Sequence, residues 1–113
     1  MSEAQRLGPF LRRRGDLIAF WCIGCDQAHV LNVCVGDRAD GAPAWDFDDN
    51  ISAPTFTPSV LVSWPASADR PASTRCHCFV TAGQIDYLGD SAAHALRGRV
   101  PMAPFPEGYA GWS

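Results

Sequence analysis

The sequence predicts a mainly β protein: a small single-domain antiparallel β-sheet with a cysteine knuckle at one hairpin and one short C-terminal helix. Residue choice is the first reason. Of 113 residues, Val, Ile, Phe, Tyr and Trp supply 23 and Leu and Met only 9, a bias toward side chains that fit a pleated, half-buried surface. Punctuation is the second. Ten Gly and nine Pro cut the chain into short segments, which suits strands and turns better than long helices. The third is Cys22-Ile23-Gly24-Cys25, a tight turn with an apolar run on either side.

Residues 1–14 hold Glu3 against Arg6, Arg12, Arg13 and Arg14, and residues 1–16 read as a basic N-terminal arm, with the folded domain over residues 17–113. Leu17 to Cys22 reads as a strand ending in aromatics, and residues 29–35, rich in Val and Leu, as its hairpin partner. Residues 37–43 form a loop. Residues 44–48 form a short strand with Trp45 and Phe47 on one face by the period of two. Residues 56–64 form a strand whose start is constrained by Pro54 and Pro58. Residues 65–74, rich in Ala, Ser and Pro, form an exposed loop. Residues 76–81 and 84–88 flank Ala82-Gly83, a two-residue hairpin signal. Asp90 or Ser91 caps a helix over residues 92–96 that stops at Gly98. The tail from Pro101, with Phe105, Tyr109 and Trp112, packs across the sheet.

Composition excludes several classes. No apolar run approaches the roughly 20 residues of a membrane span. Arg12 to Arg14 precede an apolar stretch that runs directly into Cys22, which is not a secretory signal. A cytoplasmic location in a bacterial host follows, where cysteines stay reduced. Five Cys is an odd number, better suited to a metal site than to a disulfide framework. The formal net charge is -3, and residues 15–113 alone carry -6. Nucleic acid is therefore not the expected partner, although the arginines with Phe10 could form a nucleic-acid-binding arm on a zinc ribbon.

Two thiolates separated by two residues can face one ion across a tight turn, with Gly24 free to take a positive φ. Zinc takes four ligands in a closed site. The second half comes from Cys76-His77-Cys78 and His94. Strand alternation puts Cys76 and Cys78 on one face and His77 on the other. The hairpin that starts at Cys76 returns the chain so that His94 approaches it. Cys22, Cys25, Cys76 and His94 would make a site of three thiolates and one imidazole. Cys22, Cys25, Cys76 and Cys78 would make an all-thiolate site. His29 and His77 are further metal or supporting candidates, and Cys34 reads as a small buried hydrophobe. No phosphate loop, nucleophile elbow or zincin motif is visible, and no catalytic residue is assigned. Asp46, Asp48 and Asp49 read as a solvated face that could also meet a basic partner, with Trp45 and Phe47 as anchors.

Residues 20–29, reading FWCIGCDQAH, are followed by Trp45-Asp46-Phe47, PTFTPS at 54–59, CHCFV at 76–80, GQIDYL at 83–88 and DSAAHALRG at 90–98. This order resembles a family of small, mostly phage- and prophage-encoded proteins of unknown function, with an FWCxGC knuckle, PTFSPS, CHSFV and a DxxHxLxG ending. Some of its members carry an ammonia monooxygenase label, which a thiolate-rich, redox-silent site does not support. The resemblance implies a zinc-binding accessory protein that docks to a host or phage protein, for instance as a counter-defence inhibitor of the anti-CRISPR kind. The alternatives are a zinc-dependent enzyme, in which His77 and His29 would be general bases, or a nucleic-acid-binding zinc ribbon.

Overall fold

Short turns set the register of two antiparallel sheets. The computed structural model describes residues 4–33, 44–63, 75–89, 96–109 and 112. β1 (Gln5–Leu7), β2 (Leu11–Arg14), β3 (Leu17–Cys22) and β4 (Gln27–Asn32) form the first sheet in that order. β5 (Asp46–Phe47), β6 (Phe56–Ser63), β7 (Arg75–Thr81), β8 (Gln84–Tyr87) and β9 (Gly98–Pro101) form the second. Each strand pairs with its neighbour in sequence, so both sheets are meanders. The sequence reading expected one sheet. It also placed Arg12, Arg13 and Arg14 in an arm, whereas β1 pairs with β2 and β2 in turn pairs with β3. No helix occurs among the described residues. The expected helix falls, apart from Leu96, outside them, as do Cys34 and the loops at 37–43 and 65–74. Among the described residues no helix is long and apolar enough to cross a membrane.

Period-two alternation builds the core between the sheets. Ile18, Phe20 and Cys22 of β3, with Leu11 and Leu31 beside them, meet Phe56, Val60, Cys76, Cys78, Val80, Ile85 and Tyr87 of the second sheet. Phe20 and Phe56 stack across the gap at 6.3 Å. The other face of the first sheet is covered by the C-terminal tail. Trp21 meets Phe105 at 6.2 Å and Tyr109 at 5.3 Å, both edge-to-face. Arg12 is thereby buried to 3% exposure. Its guanidinium donates to Leu11 O at 2.9 Å and lies 5.0 Å from the Phe105 ring centroid. It also pairs with Glu107, as does Arg6. The arginines that gave the N-terminus its positive charge thus hold the tail.

The β7–β8 turn is a two-residue hairpin, with Thr81 opposite Gln84. Ala82 and Gly83 both take positive φ, 50° and 77°, which is the mirror-image turn that matches strand twist. A Cβ on Gly83 would stand 3.1 Å from the Ala53 backbone. We expect Gly83→Ala to cost about 1–2 kcal/mol from the left-handed conformation alone, with a fall in melting temperature of roughly 5 °C or more. An unchanged thermal melt would mean that the turn does not depend on that geometry.

Candidate functional site

The knuckle grows out of the β3–β4 hairpin. Ile23 to Asp26 form its turn, closed by Asp26 N–H donating to Cys22 O at 2.9 Å. The left-handed position falls on Asp26, at φ 54°, where the sequence reading had placed it on Gly24. Asp tolerates this region better than most residues. The Cys25 amide donates to Cys22 Sγ at 3.4 Å. Pairing of Cys22 with Gln27 puts Phe20 opposite His29. Residues directly opposite share a face, so His29 points inward with Phe20 and Cys22. It is 2% exposed and lies edge-to-face on Phe20 at 5.6 Å.

Cys76 arrives from β7 on the facing sheet, and its sulfur lies 3.9 Å from that of Cys22. One ligand atom from each of Cys22, Cys25, His29 and Cys76 lies within 4.8 Å of the others. This group could hold a metal ion. A tetrahedral ion with metal–sulfur bonds of about 2.3 Å separates its sulfurs by about 3.8 Å, close to the Cys22–Cys76 spacing. The expected fourth ligand, His94, lies outside the described residues, and His29 occupies the fourth place among them. Cys78 is buried on the same face as Cys76 but stands outside the four.

Charge in this pocket is uneven. Hydrogen bonds from Cys25 and then Cys76 hold the Cys22 thiol far below its ordinary range. That sulfur in turn pushes the Cys25 and Cys76 thiols up. Burial, then the same sulfur, raises the Tyr87 phenol, whose oxygen is 3.2 Å from Cys22 Sγ. Among the three thiols the surroundings therefore favour losing a proton at Cys22 and keeping it at Cys25 and Cys76. A bound cation reverses this, because a coordinating thiol gives up its proton.

The opposite face of β7 carries different chemistry. His77 points away from the core, and its Nε2 makes a 3.0 Å hydrogen bond with Ser59 Oγ of β6. Both residues are half-buried. Ser59 sits in a bulge: between the pairs Phe56–Val80 and Val60–Cys78, three residues of β6 oppose one of β7. Pro58 lacks the N–H that a regular ladder needs, and bulges re-aim side chains. The indole of Trp45 donates to Ser59 O at 3.1 Å and holds the bulge from the β5 side. Sequence reading missed Ser59. A serine and a histidine 18 residues apart have no local motif, and the signal lay in the paired prolines of PTFTPS and in the outward turn of His77.

The acidic segment serves its own loop. Asp46, Asp48 and Asp49 are exposed, and Asp48 Oδ1 accepts from the amides of Asn50 at 3.1 Å and Thr55 at 3.2 Å. Trp45 and Phe47, expected as anchors for a partner, pack against the protein's own core. Phe47 stacks on Phe56 at 5.0 Å.

A family model described as "Bacterial ubiquitination-like system serine protease (BubE)" matches residues 3–88. That span includes Cys22, Cys25, His29, Cys76, Ser59 and His77. No curated protein and no solved structure matches the chain. The family match overturns the resemblance to phage-encoded proteins of unknown function. With it falls the reading as a docking or counter-defence inhibitor, since the family is that of a protease. The chain belongs to the BubE family of serine proteases of bacterial ubiquitination-like systems.

Proposed function

We propose that this chain is a serine peptidase of a bacterial ubiquitination-like system, with Ser59 as nucleophile and His77 as general base. The observation that carries the reading is the 3.0 Å Ser59–His77 hydrogen bond on the outer face of β6 and β7, in a chain of a serine protease family. The Ser59 hydroxyl donates to Nε2 in the tautomer this role requires. His77 removes that proton as Oγ attacks the scissile carbonyl carbon. The tetrahedral intermediate collapses as the imidazolium gives the proton to the leaving amine. Water, activated by the same histidine, then hydrolyses the ester on Ser59 and restores the hydroxyl.

The Cys22, Cys25, His29 and Cys76 cluster fits zinc, because three thiolates and an imidazole are a tetrahedral structural donor set. When bound, such an ion supplies structure and leaves no position for substrate. Cys76 and His77 are consecutive, so fixing one from the core side fixes the backbone of the other.

Two sets of variants test these assignments. Structural zinc is worth about 10–16 kcal/mol in small peptides, so Cys22→Ser and Cys76→Ser should lose the metal and the fold. His29→Ala should lose metal, and Cys78→Ser should keep one zinc per chain by elemental analysis. Acid should release the ion, because every ligand must be deprotonated to bind. Full metal content in His29→Ala would place the fourth ligand elsewhere. Independently, His77→Ala should lower peptide hydrolysis by about 10²–10⁴-fold and Ser59→Ala should abolish it. Metal content and melting temperature should stay near those of the parent in both. Activity retained in Ser59→Ala would sink the nucleophile assignment.

A further inference from the structure

The outer face around Ser59 and His77 also carries large apolar side chains that the fold leaves in water. Leu61 is 49% exposed and Phe79 42%. A single exposed hydrophobic residue needs no explanation. These two are placed by register. Leu61 lies directly opposite His77. Phe79 lies between Cys78 and Val80, whose partners bracket the bulge, so it faces the segment that carries Ser59. Both stand on the solvent face with the pair, and their neighbours Val60, Cys78 and Val80 point into the core.

The proposed chemistry fixes what can lie on this surface. The attacked carbonyl must sit about 3–3.5 Å from Ser59 Oγ. The leaving group must lie over His77, which protonates it. The acyl side of the scissile bond therefore lies toward Phe79 and the leaving side toward Leu61. Resting on the Ser59–His77 reading, we propose that Phe79 is a specificity residue, which selects an extended peptide with a bulky apolar side chain on the acyl side of the cleaved bond. An open patch gives less discrimination than an enclosed pocket. The expected preference lies near the low end of the roughly 10–200-fold range for apolar side-chain selection.

The test compares hydrolysis of the p-nitrophenyl esters of N-acetyl-leucine and N-acetyl-glycine by the full chain, with the Ser59→Ala rate subtracted. The parent should favour the leucine ester by about 10-fold in kcat/KM, mainly through KM. Phe79→Ala should bring the leucine-to-glycine ratio close to one, and Phe79→Leu should restore most of it. Val30→Ala, an exposed apolar change on the other sheet, should leave the ratio at the parent value. A ratio near one in the parent, or a ratio unchanged in Phe79→Ala, would overturn the proposal. Labelling of the parent by a fluorophosphonate separates the two levels of failure. Labelling at Ser59 without a leucine preference overturns the role of Phe79 alone. No labelling at Ser59 overturns the Ser59–His77 reading and this inference with it.

Discussion

The meeting of Cys22 and Cys76 is the contact on which the rest of the structure depends. The two sulfurs are 54 residues apart in sequence and 3.9 Å apart in space, and they belong to different sheets. Neither sheet could bury its inner face alone, because the apolar side chains of that face need a facing layer. Phe20 on Phe56 and the cysteine–histidine group join them. Cys22 lies at 0% exposure, where charge on its sulfur is tolerated only when compensated. Hydrogen bonds from Cys25 and Cys76 compensate it in part. A divalent ion would compensate it fully and turn the sheet-to-sheet contact into a set of metal–ligand bonds.

β7 transmits that constraint to the opposite surface. Its residues alternate between the core and solvent without interruption from Arg75 to Thr81. A one-residue slip would put His77 among the sulfurs and Cys76 in water. The inner face therefore fixes the register, and the outer face inherits it. A histidine on a rigid strand is held more precisely than one on a loop. In the same way the tail, held by Arg12, Arg6 and Phe105, closes the far side of the first sheet and supports β3 under the knuckle.

Much of this architecture is legible in the sequence because strand period and turn chemistry are local. Leu17 to Cys22 and the Ala82-Gly83 hairpin could be placed from alternation and turn residues alone, and so could the inward face of Cys76. The knuckle of Cys22 and Cys25 was likewise readable from spacing, and the four-ligand demand of zinc pointed on to Cys76. His29 was harder. It was one of several further candidates, and it gains the fourth place only when the four-residue turn sets Phe20 opposite it; turn length is the part of a hairpin that sequence states least firmly. β1 and β2 were hidden because Arg12, Arg13 and Arg14 look like a solvated arm. The burial of Arg12 depends on a tail some 90 residues away. The Ser59–His77 contact was hidden for a related reason, since it exists only across two strands.

The bulge explains how a serine on a flat sheet reaches the histidine. In a regular antiparallel pair the outward side chains of β6 and β7 would stand parallel and perpendicular to the sheet, with the residues directly opposite in closest contact. His77 would then meet Leu61 first, as the register shows. Ser59 is one step removed on the diagonal, beyond hydrogen-bond reach for two short side chains in ideal geometry. The extra residues around Pro58 bend β6 and bring Oγ to the imidazole. Such a distortion persists only where its surroundings hold it. Trp45 supplies that support: its ring packs against the core and its N–H takes the carbonyl of Ser59. The aromatic residue beside the acidic loop is thus accounted for by a need inside the molecule, the support of the strand distortion that brings serine to histidine.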